Sequence, residues 1–202
     1  ALESVSVPQP CNCDDAFVNI AGAITSVERR NDNHVSALSP DRLKSVSTST
    51  VVDIPCGQYF LSGIDATETV FLAVHGRALL AVKGDVLLHA GLTVMLDPGA
   101  ELDLLVGGLF QSTGGNPLGA ASPARFRIWV AGSDLVSFDD SPSIRAMIYA
   151  PRSPVIANGA IDLSGGMLSL TALVSGAMNL HFDQAIFSSG VSCGEPTATP
   201  VP

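Results

Sequence analysis

Charged and aromatic side chains are scarce in this chain. Only 14% of its 202 residues are charged and 5% are aromatic. The 19 acidic residues outnumber the 10 Lys and Arg, which gives a formal net charge of −9. Nucleic-acid binding requires clustered Lys and Arg. We therefore expect no nucleic acid as a partner and no adhesion to anionic lipid, and an extended aromatic carbohydrate cleft is poorly supported.

Long hydrophobic runs are also missing. Every apolar run is interrupted by a charge or a glycine well before it reaches the length of a membrane-spanning helix, so the sequence predicts no membrane span. The chain begins at Ala1 without an initiator Met or a signal peptide, as expected of a processed secreted protein or a trimmed chain. We adopt the first of these two interpretations and expect a secreted protein.

Cysteine is rare, and its placement is informative. An even number of cysteines, all of them outside the region from Val70 to Ile186, favours disulfides over a metal site, because zinc sites usually show C-x-x-C units or nearby histidines. The first two cysteines seldom bond each other because the short ring is strained. We expect two disulfides in an order that the sequence leaves open, formed by Cys11, Cys13, Cys56 and Cys193.

The chain contains instead a repeated pattern of short apolar strands separated by glycine, between Val70 and Ile186. Such a pattern is typical of a β-solenoid or of a sandwich of hairpins. Nearly continuous apolar strands favour parallel stacking, and none of the clearest corners carries the Asn-Gly or Asp-Gly of a tight hairpin. Those corners are Gly76, Gly84, Gly91, Gly99 and Gly107.

The chain divides into three predicted parts. Residues 1–46 form a Pro-rich and helical cap segment, residues 47–193 a parallel β-helix of about five turns, and residues 194–202 a Pro/Thr tail. Further expectations are a helix over residues 16–30 that Asp14 and Asp15 cap, a short helical turn over residues 39–46, and a loop over residues 111–123.

Alternation within the strands predicts which side chains point inward. The inward set is Val70, Leu72, Val74, Leu80, Val82, Val86, Leu88, Leu92, Val94, Leu96, Leu102, Leu104 and Val106. The outward set contains aliphatic and aromatic side chains that need a cover. Either the N-terminal helix covers them or they form a self-association face between copies of the chain. These residues are Phe71, Leu79, Leu87, Met95 and Leu105.

Five motifs resemble a known family. The run Ile54–Leu61 is similar to the L-P-C-G-x-Y-Y-L motif of a domain of unknown function in secreted proteins of myxobacteria and their relatives. His181–Ile186 resembles the H-Y-D-x-A-[IL] that closes these domains, with Phe182 where Tyr is usual. The other three motifs are Gly84–Val86, Pro98–Leu104 and Ile148–Pro151.

The resemblance covers most of residues 50–193 and implies a right-handed parallel β-helix on the cell surface. Such domains also occur in pilus-assembly-like proteins. The resemblance implies no known activity. The chain departs from the family pattern in lacking Gly-Asn at several corners.

Three groups of residues are candidates for chemistry. His181 and Asp183 lie at i and i+2 of a strand, where they would share one face. We interpret them as structural rather than catalytic because no serine elbow accompanies them. We interpret Trp129, which lies beside Arg127, either as a surface on which a sugar ring stacks or as a packing residue.

Acidic residues form two groups that lack calcium-loop spacing, and we interpret them as solvated corner residues. They are Asp97, Glu101, Asp103, Asp134, Asp139 and Asp140. The sequence thus predicts no catalytic, cofactor or metal residues.

The sequence favours a secreted, non-enzymatic structural or adhesive protein. The expected partners are further copies of the chain or other surface proteins. Should the N-terminal helix lie along a side of the solenoid, one end stays open, and copies stack into filaments or layers. The alternative is a β-helix that binds or cleaves polysaccharide.

Overall fold

The computed structural model describes residues 18–114, 117–140 and 142–188 and shows a parallel β-solenoid of about six turns with one short helix. The helix α1 spans Ile20–Arg29. The strands are β1 Thr50–Ile54, β2 Gly57–Leu61, β3 Ile64–Ala66, β4 Val70–Val74, β5 Arg77–Val82, β6 Val86–Leu88, β7 Leu92–Leu96, β8 Glu101–Val106, β9 Phe110–Ser112, β10 Leu118–Ala120, β11 Phe126–Val130, β12 Val136–Asp139, β13 Ser143–Asn158, β14 Ile161–Val174 and β15 Met178–Phe182. Two 3-10 helices span Pro123–Arg125 and Gln184–Ser188.

The strands stack into three faces. Face 1 contains β1, β4, β7 and β10, face 2 contains β2, β5, β8 and β11, and face 3 contains β3, β6, β9 and β12. The long strands β13 and β14 each run across several faces, and β15 returns to face 1. Successive turns differ in length, as the uneven sequence spacing of the stacked residues on face 1 shows. Those residues are Thr50, Val70, Leu92, Leu118, Ile144, Leu163 and Leu180.

The core lies inside the three faces and confirms the predicted alternation. Every residue of the predicted inward set is buried except Leu96, which is partly buried against the same core. Side chains of successive turns stack in columns because parallel pairing places equivalent positions directly above one another. Each aliphatic side chain is thereby covered from above and below, which accounts for the nearly continuous apolar sequence.

Three local predictions need correction. The helix begins at Ile20 rather than residue 16, since the Asn19 side chain accepts the Gly22 N–H at 2.9 Å and caps it there. Asp14 and Asp15 lie outside the described residues.

Residues 39–46 form hydrogen-bonded turns and a bridge at Val46 instead of a helical turn. The predicted loop over residues 111–123 contains β10, which joins face 1 between β7 and β13.

Residues 32–46 cover the N-terminal end of the solenoid. Leu38, Leu43 and Val46 are buried against the first turn. The buried amide of Asn33 donates to the Phe60 carbonyl and accepts its N–H, both at 2.8 Å, and Asp32 pairs similarly with Gln58. These bonds satisfy the lower edge of β2, which would otherwise present unpaired backbone groups.

The C-terminal end is open among the described residues. Strand β15 covers only Ile161–Gly165 of β14, so residues 166–174 have β13 below them and no described strand above. Met178, Leu180 and Phe182 continue the inward columns of Ile161, Leu163 and Gly165, yet all three are exposed. This end therefore exposes the inner, apolar side of the last turn.

Candidate functional site

An apolar column runs along the outer side of face 2. Register places Ala81, Leu105, Trp129, Tyr149 and Leu168 directly above one another in successive turns. Helix α1 lies against the lower part of this column, where Ile20, Ile24 and Val27 pack on Phe60, Ala81 and Leu105. The upper part, from Trp129 to Leu168, extends beyond the helix as a groove.

The groove consists of two adjoining cavities that share Arg127, Trp129 and Ile186. The lower cavity, of about 430 Å³, is bounded by the start of the helix, and the upper one, of about 380 Å³, reaches the last turn. Both volumes are within the range of small-ligand sites. The remaining lining of the upper cavity is almost entirely apolar: Met147, Ile148, Tyr149, Gly166, Met167, Leu168, Leu180 and Phe182.

Two arginines and two carboxylates form a charge cluster beside the groove. Arg127 donates through Nε to Asp103 at 2.6 Å and through the terminal nitrogen Nη2 to Glu101 at 2.7 Å. Arg77 bridges the same two carboxylates at 3.1 and 3.0 Å. Glu101, Asp103 and Arg127 are buried, so the prediction that both acids are solvated corner residues is wrong. Their partners come from the turns above and below.

The charge on Arg127 is maintained by its neighbours. Burial acts to lower the pKa of Arg127, but the hydrogen bonds and charges of Asp103 and Glu101 outweigh it and raise that pKa above its ordinary value. The cluster contains two positive and two negative groups. Its formal charge is therefore balanced in spite of the burial.

Trp129 is fixed at the centre of the groove. Its indole N–H donates to Asp103 at 2.9 Å, and its ring lies 5.2 Å from that of Tyr149 at an interplanar angle of 56°. Such tilted pairs are favourable contacts between aromatic rings. Trp129 is partly buried, so it contributes packing and also a surface within the groove.

His181 and Asp183 do not pair with each other. Asp183 accepts the Ala124 N–H at 3.1 Å and the Ala185 N–H at 3.0 Å, which ties the last 3-10 helix to the segment before β11. His181 is exposed and lies 3.5 Å from Asp162. These contacts give Asp183 a structural role.

The remaining predicted acids are dispersed. Asp97 accepts from His75 Nδ1 at 2.9 Å, and Asp139 accepts from Asn158 at 2.7 Å. Asp134 and Asp140 are exposed. Within residues 18–114, 117–140 and 142–188 no three His, Cys, Asp or Glu residues are arranged to hold a metal ion.

The structure does not bring the predicted self-association residues onto one face. Phe71 and Met95 lie on the outer side of face 1, and Leu87 lies on the outer side of face 3. Leu79 and Leu105 lie on the outer side of face 2. Leu105 is buried under α1, and Leu79 packs against the same cluster. The prediction of a single face is wrong because consecutive strands of a solenoid belong to different faces.

Cys56 is exposed at the corner between β1 and β2. Cys11, Cys13 and Cys193 lie outside the described residues, as does the predicted tail over 194–202. The two predicted disulfides therefore stay a prediction.

The charge cluster and Tyr149 escaped the sequence analysis. Arg77 and Arg127 each lie one full turn of the solenoid away from the acids they bind, and the sequence does not fix the register between turns. The one available signal was the pair of acids at i and i+2 of an otherwise apolar strand, Glu101 and Asp103. Two such carboxylates on one side of β8 require positive partners on the neighbouring strands.

No described helix has the length and apolar character needed to cross a membrane. No curated protein and no solved structure matches the chain. A family model does match, that of a domain of unknown function designated DUF7305, over residues 6–188. Because this match spans most of the chain, the protein belongs to the DUF7305 family.

Proposed function

We propose that this protein is a non-enzymatic structural or adhesive component of the cell surface that associates with copies of itself. The solenoid supports this proposal because stacked turns give a rigid body with long side faces. The small share of charged residues leaves much of that surface available for contact with other proteins.

The pairing of the buried charges carries the non-enzymatic part of the proposal. Glycoside hydrolysis uses two carboxylates, one of which must donate a proton while the other attacks or activates water. Glu101 and Asp103 are the buried carboxylates of the described chain, and their oxygens are occupied by Arg77, Arg127 and Trp129. This arrangement suits a structural role better than proton transfer.

Surface labelling tests the proposal. Antibodies raised against the purified chain should label intact cells of the source organism, and protease treatment of those cells should remove the label. Beads coated with the chain should also bind such cells. Labelling that requires permeabilised cells would contradict the proposal.

A polysaccharide-binding protein is the second candidate, and the Trp129–Tyr149 pair favours it. Aromatic faces held in a groove are suited to stacking on apolar faces of sugar rings. A glycan array with the purified chain should then show retained polysaccharides whose binding falls in Trp129→Ala. The matched control is Phe71→Ala, which removes a partly exposed aromatic side chain on the outer side of face 1, away from the groove. An array without any retained glycan excludes this candidate.

A further inference from the structure

We infer that two copies of the chain bind each other through their C-terminal ends and form a closed dimer. This inference rests on the proposed self-association and names the surface that carries it. The surface, here called the open end, consists of residues 166–174 of β14 together with Met178, Leu180 and Phe182 of β15.

The open end exposes more large apolar side chains than any other part of the described solenoid. Leu170 is 63% exposed and Leu180 is 54% exposed, although Leu180 belongs to an inward column. Of the ten large hydrophobic residues that are exposed, six lie in this last turn: Leu168, Leu170, Leu173, Met178, Leu180 and Phe182. Leu168 and Leu173 lie in outward columns of two faces, whereas Met178, Leu180 and Phe182 lie in inward columns. Exposed apolar side chains concentrated in one turn mark an interaction surface.

The open end also presents backbone groups for pairing. Residues 166–174 of β14 pair with β13 on one side, and no described strand pairs with their other side. An unpaired edge of this length is a template for a further strand. The partner must therefore supply both an apolar surface and a free strand edge.

Another open end meets both requirements. At the opposite end the outer edge of β1 has no described partner, but the apolar core is covered. At that end Asp32 and Asn33 occupy the edge of β2, and Leu38 and Leu43 cover the core. Head-to-tail stacking, which would propagate into a filament, therefore lacks a second apolar surface. Contact between two like ends is isologous and stops at two copies.

The last turn contains few charged residues. The chain has a net charge of −9, so most contacts between copies bring like charges together. From Ile161 to Ser188 the sequence contains Asp162, Asp183 and His181 as its titratable side chains, with no Lys or Arg. Two copies that join at this end therefore bring together two Asp side chains from each copy. A two-fold axis at this end orients the β14 edges of the two copies antiparallel to each other, which is a favourable strand pairing.

Sedimentation equilibrium of the full chain over a wide range of concentration tests the inference. We expect a monomer–dimer equilibrium with no larger species. Leu170→Asp and Leu180→Asp should each weaken the dimer by about 100-fold, because each change removes a buried leucine from both copies. Val51→Asp is the matched control, since Val51 is 58% exposed on face 1 near the covered end, and it should leave the dimer unchanged.

Three results would overturn the inference. They are a monomer at all concentrations, species that grow beyond two copies, and equal weakening by Val51→Asp. A monomer that still labels the cell surface and binds cells would overturn this interface and the proposed self-association, and would leave the proposed cell-surface role intact. Circular dichroism of both variants confirms their fold, and the exposure of both leucines makes misfolding of both variants an unexpected outcome.

Discussion

Three charged groups are buried beside the groove, and their burial is stable only because each of them is paired. Glu101, Asp103 and Arg127 lose their hydration, and the cost is offset by hydrogen bonds of 2.6–3.1 Å to opposite charges. Asp103 also accepts from Trp129, so the cluster and the aromatic groove are linked through one carboxylate. Loss of one arginine should therefore affect both stability and the position of the indole.

Replacement of Arg127 by Met tests this linkage. The change leaves two buried carboxylates with Arg77 as their single arginine, and we expect a loss of about 3–5 kcal/mol in the free energy of unfolding. The Trp129 fluorescence should shift as its hydrogen-bond partner moves. Arg42→Met, at an exposed position near the covered end, is the control for urea denaturation. Equal losses in the two variants would show that the cluster adds no stability.

His75 predicts a pH dependence of stability. It lies exposed between Asp97 and Asp53, and hydrogen bonding to Asp97 and then to Asp53 raises the pKa of His75 above its ordinary value. A raised pKa in the folded state adds stability that is complete below the unfolded pKa and is lost as pH rises through the folded one. His75→Asn should therefore destabilise the protein more at about pH 5 than at about pH 8.

Urea denaturation at both pH values measures this effect. His34→Asn, at an exposed residue of the N-terminal segment, is the control. Should both variants show the same pH dependence, the Asp53–His75–Asp97 contact would have no energetic role.

At the scale of the elements, the corners between faces 2 and 3 determine how closely the turns stack. The backbone of Gly107 donates to Val82 of the turn below at 2.8 Å, and a Cβ atom on Gly107 would lie 2.3 Å from the Lys83 carbonyl oxygen. That oxygen belongs to the backbone, so the turns would have to separate. Glycine is required at this position because the two turns lie too close together for a Cβ atom.

Gly107→Ala should lower the free energy of unfolding by about 1–3 kcal/mol through this overpacking. The matched control is Gly132→Ala at the same corner one turn later. A Cβ atom there meets its nearest neighbour at 3.6 Å, an ordinary contact, and should be tolerated. Thermal unfolding of both variants measures the difference. A Gly107→Ala variant as stable as Gly132→Ala would contradict the close approach.

The parallel solenoid and the inward positions could be predicted from the sequence, because both depend on the alternation of residues within single strands. Three features depend instead on how successive turns align. They are the pairing of Arg127 with Asp103, the location of β10, and the assignment of Phe71 and Leu87 to different faces. Because the turns differ in length, that register is unreadable from spacing alone. The open end was anticipated only as a consequence of a helix along one side.

At the scale of the whole molecule, the two ends of the solenoid differ. At the N-terminal end residues 32–46 cover the core and occupy the edges of β2 and β3, while the outer edge of β1 has no described partner. The described part of the C-terminal end offers residues 166–174 and an apolar core surface. This asymmetry is the central claim of our account, since it decides that copies join in pairs.

Hydrogen exchange of the full chain at low and high protein concentration tests this claim most directly. Amides of Gly57–Leu61, which lie above the covered end, should exchange slowly at both concentrations. Amides of residues 166–174 should exchange quickly in the dilute sample and become protected in the concentrated one as their edge pairs with a second copy. Exchange of residues 166–174 that is the same at both concentrations, whether fast or slow, would contradict the claim.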